Sequence, residues 1–123
     1  MAFELGMDRD LSSALDLIQE DRPQGIKQLE VLAEAGNRSA IVHLGLCLSE
    51  ESPTTAEAEK WLRRAAEFES PDASWNLAMI AREHGNLAGM RWWIDRAAEF
   101  GESDAIEVKD SGYDIDRFLA EMD

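Results

Sequence analysis

Few residues in this chain belong to types that do chemistry. His43 and Cys47 stand four apart, the spacing that puts two side chains on one face of a helix. A thiol beside an imidazole can act as nucleophile and base. The surrounding run Leu44-Gly45-Leu46-Cys47-Leu48 argues the other way, because a thiol in an apolar stretch packs as a small, inert hydrophobe. His84 precedes Gly85, where an imidazolium would interact with the end of a helix dipole. Asp114 and Asp116 flank a single residue but lack the pattern of a calcium loop. The sequence has no phosphate-binding glycine motif. Two histidines and one cysteine are too few for a transition-metal centre, and one cysteine forms no intramolecular disulfide. The expectation is a protein without catalytic residues, metal or cofactor, and not an enzyme.

Bulk properties narrow the remaining classes. The chain has 123 residues, 45 % of them hydrophobic, which suits one globular domain. The N-terminus MAFELGMDRD lacks the basic region and apolar core of a signal peptide, and no stretch approaches the length of a membrane span. A cytoplasmic location is expected. The formal net charge is -14, a surface that repels phosphate backbones, so neither nucleic acid nor an anionic membrane is an expected partner. The acids are uneven: 8 against 3 bases in residues 1–36, 10 against 7 in 37–101, and 8 against 2 in 102–123. Acidic ends keep a repeat array soluble or attract a basic protein.

The elements that would position any site come from an internal repeat. Trp61-Leu62-Arg63-Arg64-Ala65-Ala66-Glu67-Phe68 returns 32 residues later as Trp93-Ile94-Asp95-Arg96-Ala97-Ala98-Glu99-Phe100, with six of eight positions identical. A weaker copy lies upstream: Leu29 matches Leu62 and Ile94, Ala33-Glu34 matches Ala66-Glu67, and Ala40 and Leu44 match Ala73 and Leu77. Units then begin near Met7, Ala40, Ala73 and Ala105. Gly36-Asn37, Gly85-Asn86 and Gly101 read as helix stops, the asparagines serving as the next N-caps. Ser52-Pro53 and Ser70-Pro71 place a capping hydroxyl before a proline at the first helical position, and Thr54 and Glu57 have capping-box spacing. Helices are expected at about 7–20, 23–35, 38–50, 54–68, 71–84, 87–100, 103–110 and 114–122. Alanines 33, 66, 98, 40, 73 and 105 would let helices approach, with Leu29, Leu62, Ile94, Trp61 and Trp93 filling the core.

Ala58-x-x-Trp61-Leu62-x-x-Ala65-Ala66-Glu67, followed by Ala73-x-x-x-Leu77-Ala78 and echoed by Ala40-x-x-x-Leu44-Gly45, resembles the Sel1-like repeat, a relative of the tetratricopeptide repeat. The resemblance covers about residues 7–110. It departs in the short inter-helix connections, Glu50-Glu51-Ser52-Pro53 and His84-Gly85-Asn86, and in Leu48 and Ala81 where the family has tyrosine. It implies an all-α, right-handed α–α solenoid of three to four helix pairs: repeats at about 7–36, 37–69 and 70–101, a partial one at 102–110, and a capping helix at 114–122. That last helix has apolar residues at 115, 118, 119 and 122, a stripe suited to a cap or to docking on a partner.

In such a family the first helix of each pair lines a concave groove. The resemblance therefore points to Val42, His43 and Leu46, then Trp75, Asn76, Met79 and Arg82, as partner-binding residues; Trp75 packing between repeats is the alternative. Trp92 falls at the water-facing position of Lys60, which suggests contact with a partner or a second copy of the chain, or cover for Met90 and the loop at Gly85. The expected function is a non-catalytic adaptor holding a segment of a partner protein, a basic one if the acidic ends steer it. The alternative is an acidic inhibitor or immunity-type protein that blocks a basic toxin or enzyme; a homodimer is a further possibility.

Overall fold

Glycine, asparagine and serine at the expected boundaries cut the chain into helices. A computed structural model describes residues 2–51 and 56–122, and the side chains of 9–51 and 56–120. Among them are eight α-helices: α1 (Ala2–Glu20), α2 (Arg22–Glu34), α3 (Arg38–Glu51), α4 (Ala56–Glu67), α5 (Pro71–Glu83), α6 (Leu87–Glu99), α7 (Ser103–Asp110) and α8 (Ile115–Met122). The expected boundaries agree closely, except that α1 starts five residues before Met7. Ser52, Pro53 and Thr54, with the capping roles assigned to them, lie outside the described residues, as do the side chains of Met7 and Met122.

Each stop has a local cause. Gly85 sits at φ +72°, a conformation that is strained for a side chain bearing a Cβ. There the Asn86 N–H donates to Ala81 O at 2.9 Å and the Gly85 N–H to Arg82 O at 3.0 Å, closing α5 with its own last carbonyls. Gly36 and Gly101 terminate α2 and α6 in the same way. Glu69 does this for α4 at φ +60°, without being glycine. The starts are capped by side chains: Asn37 accepts from the Ala40 N–H at 3.0 Å, Ser70 from Ala73 at 3.2 Å, and Asn86 from Gly89 at 2.9 Å. Glu102 caps α7 at 2.7 Å from Ala105 N. Each such bond satisfies an amide that a helix start leaves without a partner.

The helices pack as sequential pairs within two compact units, residues 1–65 and 66–123. In the first unit α1 packs on α2 and α2 on α3. Two glycines allow close approach there. A Cβ on Gly25 would lie 2.6 Å from the backbone N of Ile18, and one on Gly45 would lie 3.1 Å from the backbone N of Leu62. Leu29, Ile41, Leu44 and Leu62 are fully buried and Trp61 is 2 % exposed. Arg22 ties the start of α2 to the end of α3, its Nε donating to Glu51 at 2.6 Å and Nη2 to Glu50 at 3.1 Å and to the Cys47 carbonyl at 3.2 Å.

In the second unit α5 packs on α6 and α6 on α7. Its core gathers Ala78, Met90, Ile94, Ala97, Ala105 and Val108 with Ile115 and Phe118 of α8, so the last helix belongs to this core. Trp93 is only half-buried against it. The close-approach alanines are shifted by one from expectation: Ala65 and Ala97 are wholly buried, while Ala66 and Ala98 are half-buried. Ala33, Ala40, Ala73 and Ala105 are wholly buried as expected.

Candidate functional site

Val42, His43 and Leu46 stand on α3 in the first unit, following the buried Ala40, and all three are half-buried. They share a helix with Cys47, also half-buried. Burial pushes the Cys47 thiol above its ordinary range, outweighing the Arg22 charge that favours the thiolate. A thiol held protonated in this way is a weak nucleophile. Ser49, one turn beyond Leu46, is buried and donates its hydroxyl proton to the Leu46 carbonyl at 3.0 Å.

Trp75, Asn76, Met79 and Arg82 stand on α5 in the second unit, following the buried Ala73. Their local surroundings are specific. The Trp75 ring meets Phe118 of α8 edge to face, with centroids 5.9 Å apart and planes at 75°. Met79 is half-buried against the same core. Arg82 donates to Asp116 of α8, and its other terminal nitrogen lies 3.9 Å from Glu83. Asn76 bonds back to the Asp72 carbonyl of its own helix at 2.9 Å. The part of the expected groove stripe carried by α5 is therefore engaged by the chain's own last helix. The apolar stripe of α8 is legible in the sequence; the surface it lands on is not, because nothing local relates residues 75 and 118.

Trp92 is 51 % exposed. The repeat places it where the earlier units carry Lys27 and Lys60, both exposed. Its ring stacks edge-on against Trp93, centroids 4.6 Å apart at 89°, and the Arg96 guanidinium lies 4.8 Å from its centroid. Met90 is buried two residues away, roughly on the opposite side of the helix, so covering Met90 is not what Trp92 does. The result is a rigid aromatic ledge with a cation alongside it, facing water.

An open cleft of about 480 Å³ lies beside this ledge's helix, between the end of α5, the start of α6 and the residues leading into α8. Leu87, 60 % exposed, and Met90 give it an apolar side; Arg82, Arg91, Glu83, Asp114 and Asp116 give it charges of both signs. Tyr113 enters it at φ +67°, its hydroxyl donating to Asp95 at 2.5 Å and its ring 5.4 Å from the Arg91 guanidinium. That hydrogen bond to the carboxylate raises the Tyr113 phenol above its ordinary value, with burial and the Asp95 charge adding to it. Lys109 lies 3.6 Å from the same Asp95 carboxylate.

Among the described residues no three of His, Cys, Asp and Glu gather as a metal-binding group, and no helix is long and apolar enough to cross a membrane. Compared with known proteins, the chain matches no family model, no curated protein and no solved structure.

Proposed function

We propose that this chain is a non-catalytic protein-binding module, an adaptor whose helix pairs are Sel1-like repeats stacked as a short right-handed solenoid. The repeat reading is supported by burial at equivalent positions. Leu29, Leu62 and Ile94 are all fully buried, as are Ala40, Ala73 and Ala105. Pairs that use the same positions inward are built to continue one core from pair to pair. The raised thiol of Cys47 speaks for packing and against nucleophilic use.

The observation that carries the binding reading is Trp92. A half-exposed tryptophan, braced by Trp93 and Arg96 and standing where its repeat equivalents are lysines, has the composition of an interface anchor. Affinity capture at low salt with the wild-type chain and with Trp92→Ala, read by mass spectrometry, tests it. A protein recovered by the wild type and lost by the variant, with helicity unchanged, is the expected result. Identical recoveries from both would overturn the assignment.

The net charge of -14 favours a second reading, an acidic inhibitor of one cationic enzyme or toxin. That reading requires an affinity that falls steeply with salt; a captured partner bound equally well at low and high salt would exclude it.

A further inference from the structure

The last helix of the second unit is α8. It has eight residues, too few to persist alone in water. Among its described side chains Ile115 and Phe118 are buried and Leu119 is half-buried, while Asp116 and Arg117 are exposed. It joins α7 through Gly112 and Tyr113, both at positive φ, +82° and +67°. Among the contacts that hold it in place are the Phe118 edge on Trp75, the Asp116 pair with Arg82 and, just before the helix, the Tyr113 hydroxyl on Asp95. Two of these three receiving residues, Trp75 and Arg82, stand on the stripe of α5 where the repeat pattern puts partner contacts.

We infer that α8 is a built-in occupant of a helix-binding face on α5, and that it masks this face until a partner helix of the same chemistry replaces it. The face accepts what α8 itself presents. That is apolar residues at the first, fourth and fifth positions, here Ile115, Phe118 and Leu119, with an acid at the second, here Asp116, to meet Arg82. Such spacing lays one stripe of an amphipathic helix into a groove. Opening means swinging α8 about Gly112–Tyr113 and releasing the Tyr113–Asp95 bond. An element with so few buried side chains opens at a lower free energy than the core around it. While it is closed, an incoming helix binds only to the open fraction, so its apparent affinity is lowered by that fraction. The inference rests on reading the chain as a protein-binding module, and it names the class of segment bound.

The experiment uses a fluorescein-labelled peptide of residues 110–123 of this chain, titrated into the full-length protein and followed by anisotropy. Ile115→Ala with Phe118→Ala weakens the resident helix without altering α5. This double variant is expected to bind the peptide at least about tenfold more tightly than the wild type. Tyr113→Phe, which keeps both apolar anchors, moves the affinity the same way by a smaller factor. Adding Arg82→Glu to the double variant cancels the gain. Equal affinities for wild type and double variant overturn the inference, and so does a gain that survives Arg82→Glu. Loss of the helical circular dichroism signal in the double variant also overturns it, since α8 would then be a permanent wall of the core. Low-salt capture with Trp92→Ala and peptide anisotropy are independent readouts, so failure of the Trp92 assignment and failure of the masking device are read separately.

Discussion

Nearly the same eight-residue segment meets different surroundings at its two occurrences, beginning at Trp61 and at Trp93. In the first, Trp61 is buried. The Lys60 ammonium lies 4.8 Å and the Arg64 guanidinium 4.9 Å from its ring centroid, and its indole N–H has no hydrogen-bond partner among the described residues. In the second, Trp93 is half-buried and meets another tryptophan where Trp61 has a lysine beside it. The opposing helices differ as well. Gly45 in α3 leaves room for the backbone of Leu62, whereas its repeat equivalent in α5 is Ala78, which already carries the methyl group. At another shared position the buried residue grows from Gly25 to Ala58 to Met90. The repeat thus specifies which residue faces inward. How much space that residue receives depends on the size of its neighbours, since interiors pack to a constant high density.

The comparison breaks most sharply at the tryptophans. Trp61→Ala should cost about 3–5 kcal/mol. Trp93→Ala should cost roughly half as much, because much of its ring is already in water. Denaturant unfolding measures both, and equal losses would mean that the two segments are energetically alike. Next come the glycines of the first unit. Gly25→Ala drives a methyl against the Ile18 backbone and should cost about 1–3 kcal/mol. Gly45→Ala should cost less, about 1 kcal/mol, if α3 can shift to the spacing that Ala78 tolerates in α5. A neutral Gly25→Ala would show that α1 and α2 separate freely. Trp61→Phe removes the unpaired buried donor along with some apolar area, so the net change should stay within about 1 kcal/mol. Glu69→Gly should stabilise by roughly 0.5–1 kcal/mol, relieving the left-handed backbone at the end of α4; a loss of stability would mean that the Glu69 side chain contributes more than its strain costs.

The smallest effect concerns alkaline pH, where Cys47 in the first unit and Tyr113 in the second are harder to deprotonate when folded. Cys47 is raised chiefly by burial from 9.0, and Tyr113 chiefly by its hydrogen bond to Asp95 from 10.0. Raised folded values mean stability that is fully present below these ordinary values and lost as pH rises through the folded ones. Cys47→Ala should flatten the earlier part of that loss and Tyr113→Phe the later part, as followed by thermal unfolding across the alkaline range. Tyrosinate absorbance reads Tyr113 directly, because it is the chain's one tyrosine.

Much of this architecture is legible without coordinates because its determinants are local. Gly36, Gly85 and Gly101 stop helices by backbone freedom, and Asn37, Ser70 and Asn86 start them by a side-chain bond spanning three residues. Glu69 escaped because a left-handed glutamate carries no compositional mark. Of the candidate site, the exposure of Trp92 follows from its equivalence to Lys60. The engagement of Trp75 and Arg82 by α8 does not, since those pairs are 43 and 34 residues apart and no pattern within either segment names the other.

Amino-acid order alone determined the helices among the described residues and the caps at Asn37, Ser70 and Asn86, because helix periodicity and capping act over three or four residues. Tertiary packing decided that Trp61 is enclosed while Trp93 is partly wet, and that α8 adds Ile115 and Phe118 to the core formed with α5, α6 and α7. Burial and pairing between distant segments depend on volume and on competition for the same surface, and those are properties of the folded ensemble of neighbours, which no single stretch of chain contains.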